Sequence, residues 1–331
     1  RAAGSSSEFQ EGRMPGLRIV FMGTAELACA SLEALARSAA AEVAGVITQP
    51  DKPRGRDLRM QPPPLKEAAL HLGLAVLQPE RLRAPEGIQQ VADLRPDLVV
   101  VVAYGQLLPP AVLALPRHGC LNVHASLLPK YRGAAPIQWA LWNGDPETGV
   151  TVMRMEAGLD TGPIVSQERL AIGSDDNARS LHDRLARQGA DLLARTIPEY
   201  VAGRIPLQPQ DPAQATHARK IVAADGRIDW TQPARRIWNQ VRALTPWPGA
   251  FTELPETTPP IRLKVSRAEV AVECRGAPGE IQVGAGHRDL LVACGEEGIR
   301  LLEVQREGRR PMKASEFLAG WRFEPGSRFP A

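Results

Sequence analysis

Apolar and polar positions follow two different rhythms along this chain. Leu17-Arg18-Ile19-Val20-Phe21-Met22 is a short apolar run that breaks at Gly23-Thr24, the mark of a strand. Leu27, Ser31 and Leu35 then form a stripe at helical spacing, and Val43 to Thr48 reads as a second strand. Leu98-Val99-Val100-Val101-Val102 is apolar throughout, as expected of a strand covered on both faces of a parallel sheet. Another apolar run spans Gly119 to Val123. Arg132 and Gly133 begin a turn into a helix whose Trp139 and Trp142 are expected in a core. Ile164 to Leu170 alternates as a strand. Ser180 to Tyr200 carries Leu181, Leu185, Leu192 and Ile197 at helical spacing. Strands alternating with helices predict a doubly wound, mostly parallel α/β sheet over residues 14–203.

The rhythm then changes. Pro206-Leu207-Gln208-Pro209-Gln210-Asp211-Pro212 has the composition of a linker, assigned to residues 204–215. Beyond it comes one amphipathic helix with Ile237, Val241 and Leu244. Short apolar runs separated by turns follow, at Ile261–Val265, Gly279–Ile281, Leu290–Ala293 and Ile299–Val304. That spacing predicts a small β-barrel in a second domain, residues 216–331, closing on a basic turn and a capped helix. A length of 331 residues suits two domains.

Composition narrows the class. Hydrophobic residues make up 44% and charged residues 23%, and no apolar run approaches the roughly 18 residues that would suggest a membrane span. Residues 1–13 are polar and Ser/Gly-rich, with no apolar core for a signal peptide, and are expected to be a disordered tail or an appended remnant. Cys29, Cys120, Cys274 and Cys294 are scattered without metal-ligand spacing, so reduced thiols in a cytoplasmic protein and no metal site are expected. Cys120 reads as a buried strand residue rather than a nucleophile. Net charge is only +3, but residues from Arg204 onward hold 19 Lys and Arg against 15 Asp and Glu. That mild surplus is compatible with a polyanionic partner.

The chemistry gathers around residue 120. The turn after the first strand has only Gly23, with Ala25, Glu26 and Ala28 where a dinucleotide fingerprint would need glycines. No phosphate-binding Gly-rich loop ends in Lys-Ser/Thr, which excludes a P-loop. Asn122 and His124 stand two apart at the end of a strand, so both side chains leave one face at the carboxyl edge where open α/β sheets bind ligands. The turn Gly158-Leu159-Asp160-Thr161-Gly162 can bring a carboxylate to the same edge. An amide able to hold an oxyanion, an imidazole able to move protons and a carboxylate able to orient it suit acyl transfer.

The run Asn122-Val123-His124-Ala125-Ser126-Leu127-Leu128-Pro129-Lys130-Tyr131-Arg132-Gly133, with Asp160 following 36 residues after His124, resembles the signature of the folate-dependent formyltransferases. The resemblance implies a formyltransferase-like Rossmann variant with Asn122, His124 and Asp160 as catalytic residues. It also implies 10-formyltetrahydrofolate as donor cosubstrate, bound by Ser126, Leu127, Leu128 and Pro129, with Gln106, Leu107 and Leu108 lining the pterin. The segment Gln49 to Pro64 is a proline-rich basic loop that resembles the tRNA-contacting insertion of one branch, the methionyl-tRNA formyltransferases. By that resemblance Arg56 is its principal contact to an initiator tRNA, with Lys52, Arg54 and Arg59 on phosphates. Asp57-Leu58-Arg59 departs from the branch, which usually has more lysine there.

The second half is similar to the OB-like C-terminal domain of that branch. Sugar-nucleotide formyltransferases share the Trp247-Pro248-Gly249-Ala250-Phe251 region but are not expected to combine it with Arg54-Gly55-Arg56 and Arg309-Arg310-Pro311-Met312. Purine-pathway relatives resemble the first domain alone. A non-catalytic RNA- or folate-binding module would have no need of the Asn, His and Asp set.

Overall fold

The fold is that of a computed structural model, which describes residues 16–39, 41–54, 59–255, 257–284, 286 and 288–330. The expected tail at residues 1–13 lies outside the described residues, as does Arg56. In chain order the elements are β1 (Arg18–Gly23), α1 (Leu27–Arg37), β2 (Glu42–Ile47), β3 (Lys52–Arg54), β4 (Arg59–Gln61), α2 (Pro64–His71), β5 (Val76–Leu77), α3 (Pro85–Asp93) and β6 (Leu98–Val102). Next come α4 (Pro110–Leu113), β7 (Cys120–His124), β8 (Arg132–Gly133), α5 (Pro136–Trp142), β9 (Glu147–Arg154), β10 (Ile164–Ala171) and α6 (Ala178–Val201). The rest are β11 (His217–Ala218), α7 (Ala234–Leu244), β12 (Ala250–Glu253), β13 (Arg262–Ala271), β14 (Ile281–Val283), β15 (Leu290–Ala293), β16 (Gly298–Arg306), β17 (Met312–Lys313) and α8 (Ala314–Gly320).

Contacts divide the chain into two compact units. One holds residues up to Arg132 with Gly149–Arg169 and Asp183–Thr216; the other holds Gly133–Thr148, Leu170–His182 and the chain from His217. The first unit is built on a seven-stranded sheet in the order β10-β9-β7-β6-β1-β2-β5. β5, β2, β1, β6 and β7 run parallel, while β7 pairs β9 antiparallel with Asn122 opposite Met153 and His124 opposite Thr151. Every residue of β6 is buried, which its unbroken Leu and Val content required. Val20, Met22, Val99, Val101, Leu82 and Tyr104 pack into one cluster on the sheet. α6 opens on a side-chain cap, with Asn177 Oδ1 accepting from the backbone of Arg179 (2.9 Å) and Ser180 (3.0 Å).

Part of the expected loop at Gln49–Pro64 is a short antiparallel hairpin, β3 with β4, in which Lys52 faces Gln61 and Arg54 faces Arg59. Pro53 and Met60 oppose each other between those pairs. Among the described residues no third strand joins this ribbon, so the proline costs no ladder to a neighbour there.

In the second unit an antiparallel sheet in the order β12-β13-β16-β15-β14, with β17 on β16, corresponds to the short runs expected there. Leu263, Val265, Leu290, Val292, Ile299 and Leu301 close its core with Ile237 and Val241 of α7 and Phe317 of α8. Trp230 is fully buried, donates to Thr252 Oγ1 (3.2 Å) and stacks on Phe329. Among the described residues no helix is long and apolar enough to cross a membrane, and no cluster of His, Cys, Asp or Glu could hold a metal ion.

Candidate active site

β7 ends on the residues that matter. Because β1, β2, β6 and β7 are parallel, their carboxyl ends share one edge of the sheet, and Asn122 and His124 close β7 there. Asn122 is 9% exposed and His124 6%. Asp160 arrives from the loop between β9 and β10 with φ 52°, a left-handed conformation that Asp tolerates better than most residues. Gly162 lets this loop close, since a Cβ there would lie 1.9 Å from the Arg154 carbonyl oxygen.

The three side chains meet. Asn122 Nδ2 lies 3.4 Å from Asp160 Oδ1, and His124 Nδ1 lies 3.7 Å from Asp160 Oδ2. Both separations are longer than a tight charge-assisted hydrogen bond, leaving room to shorten when a substrate excludes water. The other ring nitrogen is committed: Nε2 lies 2.9 Å from the Tyr131 carbonyl oxygen. A carbonyl only accepts, so Nε2 carries a proton and Nδ1 is the nitrogen left open. The open nitrogen of the imidazole is therefore turned toward Asp160. The Tyr131 carbonyl has no signature in side-chain pattern, which is why sequence alone missed it.

The expected donor-binding segment is a tightly bonded turn. Ser126 Oγ donates to the Lys130 carbonyl (2.6 Å), and the Leu128 N–H donates to Thr151 Oγ1 (3.1 Å). Thr151 in turn donates to the Ser126 carbonyl (2.6 Å) and accepts from Gln167 Nε2 (2.9 Å), a fully buried hub that pattern reading did not single out. Leu128 packs on Met153 and Ile164, while Leu127 and Pro129 are half-buried. After β6, Gln106 Oε1 accepts from the Leu82 N–H (3.3 Å), Leu107 is exposed and Leu108 enters the core. Cys120 is buried, and burial pushes its thiol up to about 12, which leaves it inert as a nucleophile.

The hairpin leaves the sheet after β2. Lys52 is exposed and donates to Gln49 Oε1, and Arg59 is exposed on β4. The backbone of Arg54 pairs with Arg59 across the ribbon, and the Arg54 side chain lies outside what the structure describes. At the hairpin base Lys66 Nζ sits 2.8 Å from both oxygens of Asp51, and Gln78 Nε2 donates to Asp51 Oδ1 (2.8 Å). These bonds, Gln78 first and then Lys66, hold the Asp51 carboxyl below its ordinary range.

Comparison with known proteins agrees with this geometry. Residues 17–197 match the family described as formyl transferase, and residues 220–322 match formyl transferase, C-terminal domain. A methionyl-tRNA formyltransferase of Geobacter metallireducens is 48% identical over 315 residues, covering 95% of this chain and 99% of that protein. One from Myxococcus xanthus is 47% identical over 312 residues, covering 94% and 97%. Among solved structures, an N-formyltransferase from Helicobacter canadensis in complex with folinic acid and dTDP-3-aminofucose shares the fold with a TM-score of 0.63 at 18% identity, covering 86% of this chain and 98% of that one. HypX from Aquifex aeolicus in complex with tetrahydrofolic acid aligns with a TM-score of 0.59 at 15% identity, covering 91% of this chain and 46% of that one. The chain belongs to the formyl transferase family.

Proposed function

We propose that this chain transfers the formyl group of 10-formyltetrahydrofolate to the α-amino group of methionyl-initiator tRNA, in the cytoplasm, giving the formylated aminoacyl-tRNA that starts translation. The observation that carries the reading is near-half identity, along almost its entire length, to proteins named methionyl-tRNA formyltransferase. Residues 14–203 are assigned the chemistry, 204–215 the connection and 216–331 a share of the tRNA contact. Arg56, with Lys52, Arg54 and Arg59, is assigned to the acceptor end of the tRNA.

The mechanism follows from the three side chains. A free α-amino group has a pKa of about 7.7–8.0, so much of it is neutral and able to attack near pH 7.5. Attack on the formyl carbon puts negative charge on its oxygen. Asn122 Nδ2–H and the Nδ1–H of protonated His124 are the donors for that oxyanion, and both already face the Asp160 carboxylate. Asp160 balances the imidazolium and, directly or through one water, takes the proton released by the amine. Cleavage of the N10–carbon bond then returns one proton to N10, so atoms and charge balance with no metal in the scheme.

Ser126–Pro129 and Gln106–Leu108 are assigned to the folate donor, because both segments follow carboxyl ends of neighbouring parallel strands, β7 and β6. A formyl-transfer assay with radiolabelled donor tests the whole reading. Charged initiator tRNA is expected to be formylated; transfer to an amino sugar nucleotide instead would replace this substrate assignment.

A further inference from the structure

The composition of residues 204–215 is that of a tether, yet the chain from Gln208 to Thr216 is bonded to both sides of the candidate site. Gln208 and Ile164 exchange backbone hydrogen bonds of 2.9 and 2.8 Å, fixing the strand that begins four residues after Asp160. Thr216 accepts the Tyr131 N–H on its hydroxyl (2.8 Å) and the Arg132 N–H on its carbonyl (2.9 Å). Tyr131 is the residue whose carbonyl receives His124 Nε2.

Between these anchors sits Gln210, 9% exposed. Its Nε2 donates to the carbonyls of Asp160 (2.8 Å) and Gly162 (2.7 Å). Its Oε1 accepts from Arg132 Nε (3.0 Å) and Nη2 (2.8 Å), and Arg132 is itself 8% exposed. Both amide hydrogens and both lone pairs of the oxygen are therefore used. The guanidinium fork fixes which end of the amide faces the loop, because only the oxygen can face Arg132.

We infer that Gln210, oriented by Arg132, is a positioning residue for formyl transfer: it holds the Asp160 loop so that the carboxylate meets Asn122 and His124. The inference rests on the roles proposed above for those three residues. One amide bridging two carbonyls two residues apart defines the turn at the point where Asp160 adopts φ 52°. A catalytic group displaced by about 1 Å loses on the order of 10²-fold in rate. Among the described residues the Gln210 side chain bonds to one other side chain, Arg132, so its influence on the reaction passes through the loop.

The full chain is assayed as Gln210→Ala, Gln210→Glu, Asp160→Asn and the doubles that combine each Gln210 change with Asp160→Asn, with folding checked by thermal melting. Gln210→Ala is expected to lower kcat about 10- to 100-fold, with KM for donor and for charged tRNA held within about threefold. Gln210→Glu keeps the shape and gains attraction to Arg132, but turns an oxygen toward two carbonyls; it is expected to lose at least as much kcat. In the Asp160→Asn background either change is expected to alter kcat less than twofold, since the carboxylate it positions is gone.

Full additivity in the doubles, a loss confined to KM, or wild-type kcat in Gln210→Glu would overturn the inference. If Gln210→Ala does not fold, the Gln210→Glu cycle decides; failure of both to fold would assign the residue to stability and overturn the positioning role. Wild-type turnover in Asp160→Asn would sink the site reading itself, whereas a loss there with none in the Gln210 variants would sink this inference alone.

Discussion

Replacing Asn122 by alanine isolates the oxyanion contribution proposed for it. Its hydrogen bond to Asp160 spans 3.4 Å, beyond the usual 2.7–3.2 Å range, so little ground-state energy is lost with it. The residue is 9% exposed at the end of β7, and the small void left by the carboxamide costs on the order of 1 kcal/mol of stability, too little to unfold the chain. In the transition state the same donor faces a full negative charge. Removing one such donor costs about 2.7–4 kcal/mol, or roughly 10²- to 10³-fold in kcat. KM for both substrates should stay within a few-fold, because the contact is made only as charge develops.

Asn122→Asp gives a sharper contrast. A second carboxylate about 3.4 Å from Asp160 would repel it by roughly 5 kcal/mol at an effective dielectric of about 20, so the pair would hold a proton between them. That removes a donor and the ionised base together, and the loss should exceed that of Asn122→Ala. Initial rates of formyl transfer at saturating donor, with charged tRNA titrated, give kcat and KM separately. Filter binding gives tRNA affinity. An equal loss of kcat and tRNA affinity in Asn122→Ala, or an Asn122→Asp enzyme more active than Asn122→Ala, would refute the reasoning.

Arg56→Ala should raise KM for charged tRNA about tenfold, leave donor KM unchanged and reduce the salt slope of tRNA binding by about one; unchanged kinetics at limiting tRNA would remove the loop from tRNA recognition. Gly162→Ala forces a Cβ to 1.9 Å from the Arg154 carbonyl, so the Asp160 loop must move; kcat at least tenfold lower and a Tm several degrees lower are expected, and wild-type values in both would contradict the close approach. Asp51 contributes stability while ionised. With its carboxyl held below the ordinary value, that contribution is complete above about pH 4 and is lost as pH falls through the lower folded value. The Tm gap between the wild type and Asp51→Asn should therefore close below about pH 4, and a gap constant from pH 7 to 3 would be inconsistent with this linkage.

What could be read in the sequence was whatever local pattern determines. Val99–Val102 declare a buried strand by their unbroken apolar content, and Asn122 and His124 stand out because they interrupt and end the otherwise apolar run from Gly119. Asp160 was visible through its flanking glycines. The β3–β4 hairpin was hidden, because Lys52, Pro53, Arg54 and Arg59 carry neither alternation nor β propensity. Gln210 was hidden more deeply. In a Pro/Gln-rich stretch a glutamine looks like solvated linker, and its buried position depends on Arg132, 78 residues away in sequence. The tautomer of His124 depends likewise on a backbone carbonyl, about which side-chain pattern carries no information.

Topology brings the three segments assigned above to one reaction to a common edge. β2, β6 and β7 run parallel, so the chain after Ile47, after Val102 and after His124 must leave at the same edge. The first exit leads to the basic hairpin, the second to Gln106–Leu108 and the third to Ser126–Pro129. Proximity alone would leave them independent, but Gln49 links two of them: its Nε2 donates to the Tyr104 carbonyl (2.9 Å), which also accepts from Thr24 Oγ1 (2.8 Å). Its Oε1 accepts from Lys52 on the hairpin. The base of the ribbon assigned to tRNA is thus bonded to the turn assigned to the donor. Displacing either one therefore strains the hydrogen bonds of the other.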